Sequence, residues 1–298
     1  MMLTIRSFAK INLTLDVFSV LPSGYHGMAS VMQTISLCDT LDISLTPQIA
    51  INFNCEAPLS PDVPVGGDNL VVKAVSLLLN HATSVGKHVE YGLNLQLTKS
   101  VPSQAGLGGG SSNAAAALTG VNSLLQLGFS REELAVLAAE LGSDVPFFLY
   151  GGTALAVGRG TDITPLPDIP TLWMVVVKPD VAVSTKWAYQ QLDAIENRSS
   201  HRASARMQQA IATGDRDRIL TIQCNDFEAP VLNHYKDLAW LADEMRMAGA
   251  RIVHLAGSGS ALYGITDDQP AAISVTERLK RVYPHTWTAR TLTRSEAS

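Results

Sequence analysis

Leu93-Asn94-Leu95-Gln96-Leu97-Thr98-Lys99-Ser100-Val101-Pro102-Ser103-Gln104-Ala105-Gly106-Leu107-Gly108-Gly109-Gly110-Ser111-Ser112-Asn113-Ala114-Ala115-Ala116-Ala117 is the stretch that decides how this chain folds. Leu93, Leu95 and Leu97 alternate with polar residues, the period-2 pattern of a strand with one buried face that runs into Lys99. Ala114 to Leu127 reads as an alanine-rich helix ended by Gly128. The turn between them offers free backbone N–H groups at a helix start, where the helix dipole favours an anion. Strand, phosphate cradle and helix therefore follow in order. The plain alternative is a flexible linker, but linkers do not usually lie between an alternating strand and a run of four alanines. No Lys follows the glycines as in a Walker A loop, and the spacing fails the dinucleotide fingerprint beyond Gly108. The H-R-D and D-F-G signatures of protein kinases are also missing.

Upstream of this stretch, Ile11, Leu13, Leu15 and Val17 alternate with Lys10, Asn12, Thr14 and Asp16, so a strand with one buried face carries Lys10 and Asn12 together on the other. Leu21 to Gly24 reads as a turn that delivers Tyr25 and His26, with strand-like segments following through Ile35 and from Leu41 to Leu45. Asp68 is the expected N-cap of a helix from Leu70 to Leu79. Downstream, Ser130 and Glu133 form a capping box for a helix that stops at Gly142, and Ser143-Asp144-Val145-Pro146 comes directly after the stop. Thr161 to Pro170, rich in proline and aspartate, is the expected domain boundary. It divides the chain into 1–165 and 166–298. Beyond it the pattern reads strand (Leu172 to Val177), helix (Thr185 to Glu196), helices around Met207 to Cys224 and Leu238 to Ala248, and strand (Arg251 to Leu255). A turn from Gly257 to Ser260, a strand (Ala261 to Ile265), a helix (Ala271 to Tyr283) and a strand (Thr286 to Arg290) follow. Such alternation without long parallel runs predicts an α+β sandwich.

Bulk composition narrows the function. With 298 residues, 46% hydrophobic and 16% charged, the chain has ample material for two cores. A formal charge of −5 creates no positive field for phosphate backbones, so no nucleic-acid partner is expected. A small anionic substrate remains compatible, because local cations and helix N-termini can hold it. Cys38, Cys55 and Cys224 are scattered and lack C-x-x-C spacing, which suggests neither disulfides nor zinc and fits a reducing cytoplasm. A strand pattern begins by Ile5, leaving no room for a signal peptide, and no apolar run approaches the roughly 20 residues of a membrane span. Composition leaves monomer and homodimer equally open.

The turn resembles the P-x-x-x-G-L-G-G-G-S-S motif of the kinase superfamily named for galactokinase, homoserine kinase, mevalonate kinase and phosphomevalonate kinase. Ala9-Lys10-Ile11-Asn12-Leu13, Gly24-Tyr25-His26, Gly108 to Ala115, Ser143-Asp144-Val145-Pro146-Phe147-Phe148, Asn225-Asp226-Phe227-Glu228 and Gly257-Ser258-Gly259-Ser260 together resemble its branch acting on a cytidine-diphosphate-linked methylerythritol. The likeness runs from residue 9 to about 264. It implies a two-domain fold, an N-terminal ATP-binding domain like ribosomal S5 domain 2 and a C-terminal ferredoxin-like substrate domain. It also implies ATP and Mg²⁺, with phosphorylation of the substrate's 2-hydroxyl in the non-mevalonate isoprenoid pathway. Ser23, Gly27 and Ala256 depart from the residues common in that branch and touch loop details only.

By this resemblance Asp144 is the catalytic carboxylate, a residue type suited to orienting a hydroxyl and accepting its proton. A helix N-cap is its alternative role, and the two are compatible. Lys10 is its basic partner, placed to stabilise a developing alkoxide. Pro102, Ser103, Gln104, Ala105, Gly106, Leu107, Gly108, Gly109, Gly110, Ser111 and Ser112 are expected at the ATP phosphates, with Asn69 and Lys99 towards adenine. Tyr25, His26 and Tyr189 are assigned to the cytidine end, where aromatic faces stack on a base; Tyr189 serves equally well as a core residue. Asn12 and Thr185 are expected to hydrogen-bond the acceptor, and Gly257 and Ser258 to approach its phosphates; a tight β-turn is the plain reading of that segment, and the two are compatible. The metal ligands are left open. The rivals are another small-molecule kinase of the superfamily such as homoserine kinase, an inactive ligand sensor, and an RNA-binding module.

Overall fold

The computed structural model describes residues 2–22, 24–58, 60, 62–195 and 202–297. Ser23 of the first turn, Glu196 at the expected end of a helix and the terminal Ser298 lie outside them. Chain contacts divide the protein into two compact units, one of Met1–Ala9, Cys38–Ser103 and Gly108–Tyr150, the other of Lys10–Leu37, Gln104–Leu107 and Gly151–Ser298.

The first unit takes the start of β1 (Met2–Val20), the end of β2 (His26–Thr46), β3 (Ile51–Glu56), α1 (Leu70–Ser84), β4 (Gly92–Thr98), α2 (Gly109–Leu124), α3 (Arg131–Leu141) and α4 (Val145–Tyr150). β4 pairs antiparallel with β2, Leu41 opposite Leu97, and parallel with β3, Leu95 opposite Phe53. Alternation does here what the sequence predicts. Leu93, Leu95, Leu97, Leu41 and Ile43 face one side, where Val71, Val75 and Leu78 of α1 and the Ala114 to Leu118 run of α2 cover them. The other side carries polar ladders, Asn52 to Asn94 and Asn54 to Gln96, each 2.8 Å. Small residues let α2 approach the sheet closely: a Cβ on Gly120 would lie 2.5 Å from Ile5 Cδ1 and 2.6 Å from Ile43 Cδ1.

Three local expectations need correction. Asn69, not Asp68, caps α1, its Oδ1 accepting from Val71 N at 2.9 Å, because an Asn side chain one residue from the first helical position reaches the free N–H. The alanine helix starts five residues early, at Gly109, and ends at Leu124, before Gly128. Gln126 takes the positive φ of 52°, and the N–H groups of Gln126 and Leu127 close back on Ser123 O and Asn122 O. That is a Schellman stop on a non-glycine residue, backed by burial of Leu127. The Ser130 and Glu133 capping box forms as read, and Gly142 ends α3.

The second unit adds β5 (Thr153–Gly158), β6 (Asp162–Pro165), β7 (Trp173–Val177), α5 (Thr185–Asp193), α6 (Ala203–Ala212), α7 (Arg216–Thr221), β8 (Cys224–Asn225), α8 (Glu228–His234), α9 (Lys236–Ala248), β9 (Ile252–Leu255), β10 (Leu262–Ile265), α10 (Gln269–Lys280) and β11 (Thr286–Arg290). Its four-stranded sheet is antiparallel throughout, in the order β11-β7-β10-β9. Counted along the chain, that order is 4-1-3-2, the split βαββαβ arrangement of a ferredoxin-like fold. Val175, Val177, Leu255 and Leu262 pack against Leu238, Leu241 and Met245 of α9 and Val275 and Leu279 of α10.

β1 departs from the one-faced strand that its alternation predicts. Residues 7 through 17 are all buried, so the polar set Lys10, Asn12, Thr14 and Asp16 faces protein too. Buried polar groups need partners, and these have them. Asp16 accepts from Ala203 N and Ser204 N at the start of α6, and Thr14 Oγ1 meets Ser204 Oγ at 2.9 Å.

The three cysteines are free, partly buried thiols. Burial raises all of them, and nearby Asp226, Asp16 and Glu228 help push Cys224 up to about 11. Only the thiolate alkylates, so iodoacetamide at pH 8 should label Cys224 on the order of 100-fold more slowly in the native protein than in urea. Mass spectrometry of the labelled peptides reads this, and equal rates would contradict it.

Candidate active site

The glycine turn is anchored by its apolar residues. Pro102, Ala105 and Leu107 are buried, while Gln104 and Gly110 are exposed. Ser103 N donates to Ser60 Oγ at 2.8 Å. Gly106 and Gly108 hold φ of 75° and 71°, values that non-glycine residues rarely adopt, and Gly108 caps α2 without a side chain. Among the described residues, no protein acceptor meets the N–H of Gly106, Leu107, Gly108, Gly109, Gly110 or Ser111. Four of these donors, Gly108 to Ser111, are the free N–H groups at the positive end of a 16-residue helix, an end that favours an anion.

Beneath the helix start, in the first unit, lies a buried polar cluster. Lys99 Nζ donates to Asp39 Oδ2 at 2.6 Å and to Asn113 Oδ1 at 3.0 Å, with side-chain exposures of 4% for Lys99 and 0% for Asp39. Asp39 Oδ1 accepts from Ser100 N and Val101 N, each 2.7 Å, and Asn113 Nδ2 donates to Ser7 Oγ and Asp39 Oδ2. Lys99 is therefore a brace under the turn. Asn69 is engaged at both ends of its amide, as the α1 cap and as a donor to Pro64 O at 2.8 Å. Asp144 is half-buried and immediately precedes α4, a short helix that the sequence reading missed.

In the second unit, Lys10 is 3% exposed and its Nζ donates to Asn12 Oδ1 at 2.8 Å, so the two residues expected on one face do meet. Asn12 Nδ2 donates to Ser30 Oγ, and Tyr263 Oη holds the Asn12 carbonyl at 2.9 Å. Residues 104–107 of the glycine turn dock on the second glycine turn. Lys10 N donates to Leu107 O, Ala261 N to Ala105 O, and Gly106 packs directly on the backbone of Ala256. Gly259 N closes on Ala256 O at 2.8 Å, so Gly257 to Ser260 is a tight turn as well as a candidate contact. Thr185 Oγ1 and Ser258 Oγ come within 2.8 Å of each other.

Asn225, of the Asn225-Asp226-Phe227-Glu228 motif, has a role that its residue type alone does not reveal. Its Nδ2 donates to Leu255 O and Gly257 O at 2.9 and 2.7 Å, which ties down the second turn. Glu228 accepts from Leu255 N and meets His254 Nδ1. Next to this tie in the chain, Phe227 meets Tyr189 edge-on at 4.9 Å, and Tyr189 stacks on His26, centroids 4.6 Å apart. His26 Nε2 lies 2.7 Å from Asp193 Oδ1, a partner that no local signal identifies. Tyr25 is 57% exposed, with the Arg159 guanidinium 5.9 Å from its ring centre. Two surface cavities, one walled by Ile51, Leu79 and Leu93 and one by Lys178, Trp240 and Tyr283, contain none of these residues.

Comparison with known proteins agrees with this arrangement. Residues 69–152 match the GHMP kinases N terminal domain and residues 207–285 the GHMP kinases C terminal domain. The chain is 39% identical to the 4-diphosphocytidyl-2-C-methyl-D-erythritol kinase of Geobacillus kaustophilus, over 95% of this chain and 92% of the relative. It is 38% identical to that of Moorella thermoacetica, over 97% and 99%. A crystal structure of 4-(cytidine 5'-diphospho)-2C-methyl-D-erythritol kinase superposes with a TM-score of 0.80 at 29% identity, covering 97% of this chain and 99% of that one. A homoserine kinase from Cytophaga hutchinsonii shares the fold, TM-score 0.70, at only 17% identity. Likeness over the whole chain, in both domains and well above the level at which only the fold is shared, means that this protein belongs to the 4-diphosphocytidyl-2-C-methyl-D-erythritol kinases of the GHMP kinase superfamily.

Proposed function

We propose that the chain transfers the γ-phosphoryl group of ATP to the 2-hydroxyl of 4-diphosphocytidyl-2-C-methyl-D-erythritol, a step on the non-mevalonate route to isopentenyl diphosphate. The observation that carries phosphoryl transfer is the run of six unclaimed N–H groups from Gly106 to Ser111, the last four of them at the start of α2. The full-length relatives support the acceptor, because they bear its name.

In this reading Pro102 to Ser112 holds the ATP phosphates, with Lys99 bracing the turn from below and Asn69 fixing α1 beside the nucleotide. Phosphoryl transfer asks a protein mainly for positioning and charge stabilisation. The acceptor oxygen forms its bond to γ-phosphorus as the bond to the ADP oxygen breaks, and its proton passes to the Asp144 carboxylate. The Lys10 ammonium offsets negative charge on the acceptor oxygen, and Asn12, Thr185, Gly257 and Ser258 orient the acceptor and its diphosphate. Tyr25, His26 and Tyr189 receive the cytosine. Residues 1–165 carry the nucleotide groups, while most acceptor groups beyond β1 and His26 lie in 166–298.

Mg²⁺ accompanying ATP takes most of its ligands from phosphate and water and needs only one or two protein oxygens. The described residues hold no cluster of three or more His, Cys, Asp or Glu suited to a dedicated metal site, which suits an ion that arrives with its nucleotide. The half-buried Ser111 hydroxyl is the oxygen we assign to it. When bound, the ion neutralises charge on the β- and γ-phosphates. Free thiols, and the lack of any described helix long and apolar enough to cross a membrane, support work in the cytoplasm.

A panel of acceptors tests the assignment. Phosphorus NMR should detect a new monoester only with the cytidine substrate, and turnover of homoserine or mevalonate instead would overturn it. Within the panel, Tyr189→Ala should raise the acceptor KM about tenfold through lost stacking and leave the KM for ATP unchanged. An unchanged acceptor KM would return Tyr189 to a purely structural place between His26 and Phe227.

A further inference from the structure

We propose that Ser30 is a positioning residue that aims the Lys10 ammonium by fixing which way the Asn12 amide points; this rests on the reading of Lys10 as the cation at the acceptor oxygen. Ser30 lies on β2 and is 0% exposed. Its Oγ is 2.6 Å from the backbone oxygen of Thr14 and 2.8 Å from Asn12 Nδ2. A hydroxyl has one proton, and a backbone carbonyl only accepts. The Ser30 proton therefore goes to Thr14 O, and Ser30 Oγ is left able only to accept.

That decides the next link. Asn12 must turn its NH₂ towards Ser30, which turns Oδ1 towards Lys10 Nζ at 2.8 Å. The flipped amide would set donor against ammonium at one end and carbonyl oxygen against hydroxyl lone pair at the other. Among the described residues, the Asn12 amide has side-chain hydrogen bonds to Lys10 and Ser30 alone. The Asn12 backbone is held independently, through its carbonyl, which accepts from Tyr263 Oη at 2.9 Å. Tyr263 thus fixes where the strand runs. Ser30 fixes which polar atom faces Lys10.

Ser30→Ala removes one buried oxygen and should leave the fold in place, as a thermal melt checks. At saturating ATP and acceptor, kcat should fall about tenfold while the KM for ATP stays within about twofold. Asn12→Asp supplies the discriminating background, because a carboxylate presents an oxygen to Lys10 in either orientation. There Ser30→Ala should cost no further kcat, giving a coupled double-mutant cycle. A merely structural Ser30 would cost the same in both backgrounds. Wild-type kcat in Ser30→Ala, or an equal loss in the Asn12→Asp background, overturns the proposal. Lys10→Met separates this failure from that of the reading beneath it. If Lys10→Met is impaired and Ser30→Ala is not, only the positioning role falls; if Lys10→Met turns over normally, the cation role falls and Ser30's role falls with it.

Discussion

Asp144→Asn should lower kcat by about 10²- to 10⁴-fold, or roughly 3 to 5 kcal/mol of barrier, with little change in ATP affinity. The substitution preserves the shape of a half-buried side chain just ahead of α4 and keeps an oxygen able to cap it. It removes the negative charge and the site that would take the acceptor's proton. A structural role alone predicts a small effect, so the size of the loss separates the cap from the base. Lys10→Met should also lower kcat, because charge on the acceptor oxygen then lacks its nearby ammonium. If the two residues act on the same proton transfer, the double variant loses less than the product of the single losses. Rapid-quench measurement of a single turnover reads the chemical step apart from product release. Near-normal chemistry in folded Asp144→Asn would leave Asp144 a cap and make positioning by the two glycine turns the main source of rate.

Local signals carried much of the fold. The Leu93, Leu95 and Leu97 alternation, the Ser130 and Glu133 box and the strand from Thr286 to Arg290 depend on neighbours within a few residues, and they appear as read. β3 is legible in the alternation of Ile51, Phe53 and Cys55 with Asn52, Asn54 and Glu56 and is absent from the sequence reading all the same, whereas α4 spans fewer than two turns and contains Pro146, so it shows no helical period. Gln126 takes a conformation that its residue type does not advertise. For the candidate site, the residue types were legible and their supports were not. The glycine turn is legible as a phosphate cradle from its own residues, and the likeness to known kinases singles out Lys10 and Asn12. Nothing near Lys99 in the chain points to Asp39, 60 positions away, and nothing near His26 points to Asp193. Such partners are set by the packing of distant segments. The same limit explains why Lys10 reads as a surface residue: a period-2 pattern reports polarity, whereas burial of the polar face depends on what folds over it.

Gly106→Ala tests that long-range packing where it bears on ATP. Gly106 has a φ of 75°, and a Cβ there would lie 1.8 Å from Ala256 O and 2.7 Å from Ala256 C, both backbone atoms that no rotamer change can move aside. A positive φ on a non-glycine residue costs about 1 to 2 kcal/mol, and forcing an extra carbon into a packed contact about 1 to 3, so a loss of about 2 to 5 kcal/mol is expected if the turn stays in place. The cheaper outcome is that residues 104–107 lift off the second glycine turn. The bonds from Ala261 N to Ala105 O and from Lys10 N to Leu107 O would then loosen, and the N–H groups of Gly106 to Gly108 would leave their aligned positions. Either way ATP should suffer: calorimetry is expected to show affinity at least tenfold weaker, alongside a lowered melting temperature. Gly110→Ala is the matched control, since a Cβ there meets only Leu70 Cδ1 at 3.5 Å, an ordinary contact, and the residue lies in the helix with negative φ. It should melt like wild type. If Gly106→Ala kept both stability and ATP affinity, the docking of one glycine turn on the other would not be what shapes the phosphate cradle, and the cradle would have to be set by α2 and the Lys99 brace alone.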